Sequence, residues 1–512
     1  MATLIVAPPV PTQEEISAPL ETRREPLRIS APKKPAGKGE HFAQFGVLAL
    51  LLAAPALICV HSACANDPDI WWHLRTGQWI LQHHAVPRVD PFSGTNAGSA
   101  WPAYSWLYEL LTFQLFARLG LVGIVGYSAG MVLAITVALH HLIKRLQADF
   151  SIVALLIFST CFAIGHLFTP RPWLFTVLFF IVEIDILMHA RRTGRVRELA
   201  WLPVIFALWS NIHIQFIDGL IVLGIALVEV LVTSRGIGVK TRLRAPALIA
   251  ALAGSILATM ANPFGWHIYP VAYGLAAQPG VLDKINELKA IPFRDLTDYS
   301  VLLLTLAATA ALAWGRRFRV FEIVLLAFAA LMSFRSQRDV WVIAVAAAAI
   351  LASTIRGREN PVAVRLPRFA TGFAAILAGV LMLTGFRALH VNNGLLEAQI
   401  EKTFPVKAVE AIQANHYAGP VYNDFNWGGY LIWALRMPVS IDGRAAFYGD
   451  QAIDRSIATW GAEPDWYADP ELKKAGLVIG PPKAALMQVL RLDPQFRLVY
   501  EDKVAAVFVA QK

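Results

Sequence analysis

The sequence has little charge for its length. Of its 512 residues, 16% are charged and 56% are hydrophobic, and the mean hydropathy is +0.51. Ordinary soluble domains carry about 25% charged residues. The composition therefore excludes an ordinary soluble chain and indicates a polytopic membrane protein.

Cysteine is also scarce. The three cysteines, Cys59, Cys64 and Cys161, show neither a metal-binding spacing nor an even-numbered framework. This argues against a disulfide scaffold and against a metal site built on sulfur. The C-terminal region also lacks a phosphate loop and a dinucleotide fingerprint, so its sequence does not indicate nucleotide chemistry.

Long apolar runs are what the sequence does contain. A run of roughly 18 apolar residues crosses a bilayer core, and segments of suitable length lie at 43–63, 120–143, 150–168, 173–190, 199–215, 216–234, 245–262, 298–315, 320–334, 339–355 and 369–388. The apolar run at 106–118 is too short and fits a helix at the membrane surface. We therefore expect an all-α polytopic membrane bundle of about eleven transmembrane helices.

The net charge of +9 comes from short basic clusters between these segments. This favours orientation in the membrane over nucleic-acid binding. If residues 1–42 form a disordered basic tail in the cytoplasm, five clusters fall on the cytoplasmic side, at 144–149, 191–198, 235–244, 316–319 and 356–368. Counting 106–118 as a span would place all five outside, against the positive-inside rule.

The opposite, extracytoplasmic side then receives a different set of segments. They are the outer loop at 64–119, the connections at 169–173, 211–216, 262–270 with the loop that follows, and 335–339, and the C-terminal region. Histidines, tryptophans, carboxylates and isolated arginines gather there, which predicts a composite site on that face. Near the basic clusters, in contrast, we expect Glu183, Asp185, Glu229 and Glu322 to form structural ion pairs.

Asp67 and Asp69 form an Asp-x-Asp pair directly after the first apolar segment. Such a pair can bind a divalent cation such as Mg²⁺ or Mn²⁺, or supply a general base. It can equally serve as a turn and a helix cap. The adjacent Trp71 and Trp72 are typical either of a membrane-interface belt or of a substrate site.

His73 follows on a predicted short helix, together with Arg75, which is a candidate substrate contact. A spacing of four places Asp69 and His73 on one face, where a carboxylate would fix the tautomer of the imidazole. A surface helix of mixed polarity is the alternative.

Arg171, Arg335 and Arg338 lie at the predicted outer ends of spans, where the positive-inside rule does not explain them. Arginine binds phosphate oxygens with planar, two-pronged geometry, so a phosphate or diphosphate ligand would explain all three. The alternative is an ion pair with Asp69, Asp90 or Asp339.

Three further polar residues interrupt the predicted outer ends of apolar runs. Asn211 and His213 lie in "NIHIQF", and His267 lies in "NPFGWHIYP". A tight turn would explain Asn211 better than it explains His213, and His267 could be a membrane-belt or a site residue. All three are candidate substrate contacts.

The region 390–512 changes character. "FPVKAVEAIQANH" and "PKAALMQVLRLD" have helical spacing, and "GPVYNDFNWGGYLIWAL" mixes a strand with a turn at Gly428-Gly429. "PVSIDGR" reads as a second strand, and "KAGLVIG", "FRLVYED" and "VAAVFVAQ" continue the alternation. This alternation predicts a small extracytoplasmic α/β domain. It either encloses substrate or is a structural cap.

The arrangement resembles the GT-C class of integral-membrane glycosyltransferases. The likeness is carried by the acidic motif with Asp67 and Asp69, by the surface helix in "WPAYSWLYELLTFQLFARLG", and by the blocks "WWHLRTGQWI", "NPFGW" and "NDFNWGGYLIW…IDGRAAFYGD", which are similar to a bacterial branch of the class. In place of a fuller acidic motif in a later outer loop, this chain has "INELKA" with Glu287.

The resemblance implies a glycosyltransferase in the bacterial inner membrane. Its donor would be a polyprenyl-phosphate-linked sugar and its acceptor a lipid, glycan or protein outside the cytoplasm. Asp67 or Asp69 would be the base or a metal ligand, His73 a supporting group, and Arg335 and Arg338 phosphate contacts. Two alternatives stay open: a membrane transporter or flippase, and a non-catalytic envelope assembly protein.

Overall fold

The structure is a computed structural model that describes residues 38–62, 67–277, 284–315, 317–355 and 370–511. The predicted tail at 1–42 lies outside these residues up to position 37. Its last five residues already belong to the first helix, which begins at Lys38.

Helices make up most of the described chain. In chain order they are α1 (Lys38–Ser62), α2 (Ile70–His83), α3 (Trp106–Leu119), α4 (Leu121–Leu146), α5 (Phe150–Ile164), α6 (Trp173–Thr193), α7 (Leu202–Ile212), α8 (Phe216–Ser234), α9 (Ala245–Thr259), α10 (Ile268–Ala276), α11 (Leu296–Trp314), α12 (Val320–Arg335), α13 (Val340–Thr354), α14 (Ala370–Ala388), α15 (Asn393–Ile400), α16 (Val406–Ala414), α17 (Gly428–Ala434), α18 (Ala445–Trp460), α19 (Pro470–Lys474) and α20 (Ala485–Leu490).

Within the described ranges, eight helices are long and apolar enough to cross a membrane. They are α1, α4, α5, α6, α8, α11, α13 and α14, some of them extended by a flanking turn. Each matches a predicted segment, and the chain is a membrane protein. The remaining predicted segments form α7, α9 and α12, of 11, 15 and 16 residues. At 1.5 Å per residue these helices rise only about 16–24 Å, so the count of eleven spans stays a prediction.

The outer loop holds two helices that pack on each other. The second, α3, has 14 residues and ends at Leu119, as predicted for a helix too short to span. Gly77 of α2 permits the close approach, because a Cβ at this position would meet the backbone of Glu109 and Phe113 Cβ on α3. The loop is therefore a folded layer.

Basic and acidic side chains pair where the predicted cytoplasmic connections meet. Arg145 binds Asp185 and lies 3.2 Å from Glu198. Arg191 binds Glu229 at 2.5 Å and Glu322 at 3.0 Å between their charged atoms. These contacts confirm the structural pairs predicted for Asp185, Glu229 and Glu322.

Glu183 is the exception to that prediction. It is fully buried, and neither carboxylate oxygen has a hydrogen-bond or ion-pair partner among the described residues. Its Oε2 fills the space beside Gly219, where a Cβ would lie 2.6 Å away. The prediction of an ion pair at Glu183 was therefore wrong, because the side chain points into the bundle rather than towards a basic cluster.

The C-terminal region contains a four-stranded sheet with helices around it. The strands β1 (Val421–Asn423), β2 (Leu477–Gly480), β3 (Phe496–Glu501) and β4 (Ala506–Ala510) lie in the order β1-β2-β4-β3. The pair β1–β2 is parallel, with Val421 opposite Leu477, and β4 runs antiparallel to both of its neighbours. The predicted α/β character is thus observed in this region.

Two local predictions in this region were wrong. "PVSIDGR" contributes isolated bridges from Val439 to Ser93 and Val421 rather than a strand. Gly428-Gly429 opens helix α17 instead of a turn. Both glycines are needed for close packing, since a Cβ on Gly428 would meet Ile441 O and one on Gly429 would lie 2.7 Å from Pro68 O.

Helix α17 packs on the outer loop through a shared apolar core. Trp71 of α2 lies edge-on to Phe404 and Tyr430, with ring centroids 5.9 and 5.2 Å apart. Ile70, Leu74 and Leu431 belong to the same core. This docking brings the segment after Ile441 over the acidic motif.

Candidate active site

A cavity of about 430 Å³ lies where the outer loop, several helix ends and the C-terminal region meet. Its polar and charged lining comes from segments far apart in sequence: Asp69, Trp72, His73, Tyr104, Glu109, Arg171, Trp173, His213, Glu287, Arg338 and Arg444. Val271 of α10 lines it too, so all the segments predicted to share the outer face contribute. The volume is in the range of ordinary small-molecule sites.

Arg171 binds both carboxylates of the acidic motif. Its Nε donates to Asp67 Oδ2 at 2.7 Å, and its Nη1 donates to Asp69 Oδ2. The arginine lies between two prolines, and Tyr127 donates to its carbonyl oxygen at 3.2 Å. Of the two readings of Arg171, the structure therefore shows the ion pair with Asp69, extended to Asp67.

Burial and charge act against each other in this cluster. Burial raises the pKa of Asp69 to about 6, with a further rise from the Asp67 carboxylate, while Arg171 opposes both. Burial alone would lower the pKa of Arg171, but Asp67 and Asp69 raise it well above its ordinary value. The guanidinium thus stays charged, and the pKa of Asp69 stays raised despite the ion pair.

The acidic pair does not fit a divalent cation as it stands. Both carboxylates already bind a guanidinium, and within the part of the chain that the structure describes no group of three or more His, Cys, Asp or Glu side chains is placed to share an ion. Hard cations require more oxygen ligands than this pair has free. The cation predicted at Asp67 and Asp69 stays a prediction.

His73 pairs with Glu109 rather than with Asp69. Its Nδ1 lies 3.2 Å from Glu109 Oε1. The carboxylate of Asp69, which was predicted to fix the ring, is instead bound to Arg171, and the link from Asp69 to His73 is the helical backbone bond from His73 N to Asp69 O. Glu109 was missed because a single carboxylate in an apolar helix resembles a helix-surface residue. The sequence signal for Glu109 was the presence of a charged residue in such an apolar run.

His213 and Asn211 belong to one polar layer at the outer helix ends. His213 lines the cavity, and its Nδ1 lies 2.8 Å from Thr176 Oγ1. Asn211 binds Trp106 Nε1 at 2.8 Å and the carbonyl oxygens of Ala207 and Ala261. Asn211 is therefore engaged in joining helices, and it does not appear in the cavity lining.

Arg338 lines the cavity with a loosely held guanidinium. Its Nη1 lies 3.9 Å from Glu287 Oε1, and its Nε has no hydrogen-bond partner among the described residues. Arg335 lies outside the lining, where its side chain is exposed and donates to Ala276 O at 3.3 Å. Of the two predicted phosphate contacts, only Arg338 therefore reaches the cavity.

Three other candidate substrate contacts lie away from the cavity. Trp71 is in the core between α2 and α17. Arg75 donates to Gln78 and lies over the ring of Phe92. His267 is exposed and stacks on Trp266. Trp72 does line the cavity, and its Nε1 has no partner among the described residues.

Arg444 was missed in the sequence and is a central residue of the site. It donates to Asp90 at 2.7 Å and to Asp442 at 2.6 and 2.8 Å, and Tyr448 donates to the same Asp442 at 2.6 Å. Its guanidinium lies 4.5 Å from the ring centre of Trp101. Asp90 belongs to the outer loop, so Arg444 joins that loop to the C-terminal region.

Gly443, next to this arginine, touches the acidic motif itself. A Cβ at this position would collide with Asp69 Oδ1. The C-terminal region therefore encloses the cavity instead of forming a remote cap. The sequence signal was the "IDGR" block, but nothing in it specified that its glycine faces Asp69.

Comparison with known proteins was made on sequence and on structure. Neither a protein-family model nor a curated protein matches the sequence. The structure is similar to the Archaeoglobus fulgidus oligosaccharyltransferase tethered with an acceptor peptide containing the NVT sequon, with TM-score 0.56 and 14% identity over 93% of this chain and 74% of that one.

Two further structures are similar. The oligosaccharyltransferase AglB of the same archaeon, in complex with an inhibitory peptide and a dolichol-phosphate, has TM-score 0.55 and 12% identity over 92% of this chain and 74% of that one. ArnT from Cupriavidus metallidurans, bound to undecaprenyl phosphate, has TM-score 0.48 and 14% identity over 92% and 98%. At such low identities, the two oligosaccharyltransferase matches establish the fold alone. The chain has the GT-C fold, as the resemblance of its sequence to that class predicted.

Proposed function

We propose that the protein is a membrane glycosyltransferase that moves a sugar from a polyprenyl-phosphate donor to a lipid, glycan or protein acceptor on the extracytoplasmic face. The observation that carries the proposal is the cavity in which Asp69, fixed by Arg171, faces Arg338 and His73 beside the membrane helices. The dolichol-phosphate and acceptor peptide of the similar oligosaccharyltransferase structures support this substrate class.

Asp69 is the proposed base. The acceptor hydroxyl gives its proton to the Asp69 carboxylate while its oxygen bonds to the anomeric carbon of the sugar. The bond from that carbon to the phosphate oxygen breaks, and the phosphate oxygen keeps the electron pair. Asp67 and Arg171 hold the base in place, since Arg171 bridges the two carboxylates and Asp67 Oδ1 accepts from Asp69 N at 3.0 Å.

The donor phosphate is proposed to meet Arg338. Its Nε lacks a partner among the described residues, and its contact with Glu287 is long enough to exchange for a phosphate oxygen. Arg335, three residues earlier and exposed, stays a proposed contact for the approaching lipid headgroup at the membrane surface. The Nε1 of Trp72, which has no partner in the described ranges, is a donor for a sugar hydroxyl.

The proposed orientation follows from the charge pattern. The N-terminus is cytoplasmic, because the arginine clusters at 144–149 and 191–198 then face the cytoplasm. The cavity and the C-terminal region are extracytoplasmic in this orientation, and the protein belongs to the bacterial inner membrane.

The test is replacement of the carboxylates in a strain that lacks the chromosomal gene. Asp69→Asn should lower transfer about 100-fold or more, because it removes the base, and Asp67→Asn should lower it less because one of two links to Arg171 remains. Mass analysis of cell-envelope lipids and glycans should show an accumulating donor and a missing product. Asp465→Asn is the matched control, since Asp465 is exposed and asparagine tolerates its positive φ.

Full transfer by both carboxylate variants would reject the assignment of the base. A changed envelope in the deletion strain that both carboxylate variants restore in full would favour the non-catalytic assembly role instead.

One observation favours transport as the second candidate function. Glu183 and Asp218 are buried in membrane-spanning helices without a cation partner among the described residues, and intramembrane carboxylates mark transport pathways in many proteins. A flippase would move a fluorescent polyprenyl-phosphate analogue across proteoliposomes, and Glu183→Gln would stop it. A transferase would show no such movement, and sugar transfer would be unaffected by Asp465→Asn but abolished by Asp69→Asn.

A further inference from the structure

Glu109 is a second buried carboxylate in the cavity, and the transfer described above does not use it. Its Oε1 lies 3.2 Å from His73 Nδ1, and the two side chains are 1% and 3% exposed. Its Oε2 has no hydrogen-bond partner among the described residues. A buried carboxylate whose ion-pair partner is a histidine is costly in the charged state, so the state of this pair is decided by its surroundings.

Those surroundings already contain more carboxylates than arginines. Among the described residues at or beside the cavity, the arginines are Arg171, Arg338 and Arg444, and the carboxylates other than Glu109 are Asp67, Asp69, Asp90, Asp442 and Glu287. A bare Glu109 carboxylate would add to this excess. His73 and Glu109 are therefore favoured as a neutral pair that holds one proton between them.

The shared proton determines what His73 presents to a ligand. With the proton on Glu109, His73 Nδ1 accepts it, and the neutral ring carries its hydrogen on Nε2. With the proton on Nδ1, the ring is an imidazolium and again carries a hydrogen on Nε2. Because Nδ1 is engaged by Glu109, Nε2 is the ring nitrogen left for a ligand, and in both states it is a donor.

The ring is held firmly in this position. Trp72 packs against it with ring centroids 3.5 Å apart, and Tyr108 lies edge-on at 4.9 Å. Besides Glu109 of α3, the charged and titratable groups that act on it from other elements are Arg171, His213 and Arg444. Burial lowers the pKa of His73, and these groups lower it further, while burial raises the pKa of Glu109. Both directions agree with a neutral pair that has its proton on Glu109.

We propose that His73, oriented by Glu109, donates an Nε2–H hydrogen bond to the phosphate oxygen that leaves the sugar. The inference rests on the proposed sugar transfer and assigns the group that stabilises its leaving phosphate. As the bond from the anomeric carbon breaks, the electron pair stays on that oxygen and the acceptor proton goes to Asp69. A donor fixed before the reaction stabilises such developing charge.

The arginines nearest to His73 cannot take this role as they stand. Arg171 binds Asp67 and Asp69, and Arg444 binds Asp90 and Asp442. His73 is the catalytic residue in this step, and Glu109 is a positioning residue that keeps Nδ1 occupied.

The experiment uses purified full-length protein in nanodiscs, with the lipid-linked sugar fraction of the deletion strain as donor and acceptor source. His73→Ala should lower kcat about 100- to 1,000-fold with little change in KM. His73→Gln, whose amide N–H can occupy the position of Nε2, should recover much of this loss, and His73→Asn, whose amide lies nearer Nδ1, should not. Glu109→Ala should lower kcat, and Glu109→Gln should retain most of it.

Binding of undecaprenyl phosphate to the same nanodiscs is the second measurement. Affinity should fall about tenfold in His73→Ala and be kept in His73→Gln, as expected for one lost hydrogen bond to a charged group. Equal kcat loss in His73→Gln, His73→Asn and His73→Ala, with unchanged lipid binding, would overturn the proposal. If the His73 variants unfold, an unchanged kcat in a folded Glu109→Ala would overturn it as well.

The outcomes also separate this inference from the proposed function. A wild-type protein that transfers no sugar but binds undecaprenyl phosphate through His73 would reject the transferase and leave the phosphate contact standing. If the wild-type protein transfers sugar and the His73→Asn variant transfers it at the same rate, the phosphate contact is rejected and the transferase stands.

Discussion

Asp69 shows, at the scale of single residues, how one carboxylate can be both paired and titratable. Arg171 binds it directly, yet burial and the neighbouring Asp67 carry its pKa to about 6. A buried ion pair compensates fully for the hydration that its charged groups lose only when additional hydrogen bonds satisfy both groups. The proposed base is therefore ionised at pH 7, and its pKa stays high enough for it to accept a proton.

Transfer should depend on pH through Asp69. Its folded-state pKa is raised, so below about pH 6 the carboxylate is protonated and cannot accept the acceptor's proton. We expect kcat/KM to rise as pH increases through about 6 and then to level off. An acid limb near pH 4 in the measured pH profile would show that burial does not control this group.

Metal dependence is the second prediction at this scale. Because Arg171 already occupies both carboxylates, EDTA should leave the transfer rate of the wild-type protein unchanged, and Mg²⁺ or Mn²⁺ should not raise its melting temperature. Arg171→Ala frees the two carboxylates and should make the melting temperature sensitive to Mn²⁺. Loss of wild-type activity on chelation, with recovery on adding Mn²⁺, would instead support a resident cation.

At the scale of elements, the site depends on how the outer loop and the C-terminal region are joined. Arg444 connects Asp90 of the loop with Asp442, and Thr95 Oγ1 donates to Ser440 O at 2.7 Å beside it. Gly429 lets α17 lie directly on Pro68 at the start of the acidic motif. The cavity is thus assembled from two layers that are separate in sequence.

Removing this connection should be costly. Arg444→Ala leaves the buried carboxylates of Asp90 and Asp442 without their cation, which typically costs about 3–5 kcal/mol. We expect a clear fall in melting temperature and loss of transfer. Arg491→Ala is the matched control, because its pair with Glu501 is partly exposed and such pairs contribute about 0–1 kcal/mol. Equal effects of the two variants would show that Arg444 is no more than a surface contact.

Hydropathy and charge predicted the elements better than they predicted the contacts. Eight apolar segments and the strands after Val421 follow from local patterns, since apolar length and alternation are local properties. The pairing of His73 with Glu109 instead of Asp69 depends on how α3 packs on α2, a contact across the fold that no local spacing encodes. The ion pair missing at Glu183 has the same origin.

At the scale of the whole molecule, charges divide between two ends of the helices. The Arg145 and Arg191 clusters gather at one end, while Asp69, Arg171, His213 and Arg338 line a cavity at the other. The predicted grouping of connections by face thus agrees with which residues meet. Which of the two ends faces the cytoplasm belongs to the proposed function.

Thiol labelling should test that direction. In a chain whose Cys64 is replaced by serine, Leu492→Cys, in the C-terminal region and 86% exposed, should react with a membrane-impermeant maleimide in intact spheroplasts. Ile237→Cys, 54% exposed in the basic connection after α8, should react only after permeabilisation. Cys59 and Cys161 are buried and provide a low background. The reverse labelling pattern would invert the proposed orientation.

Gly443 and Arg444 complete a wall beside Asp69. They follow all the candidate membrane-spanning helices of the described residues in the chain, so the ribosome makes those helices before the cavity can close. A nascent chain released before residue 441 could be inserted in the bilayer with its acidic pair uncovered, and it would lack the partner that Asp90 binds. Closure of the cavity is thereby tied to synthesis of the C-terminal region, and a chain truncated before Gly443 would leave Asp69 uncovered.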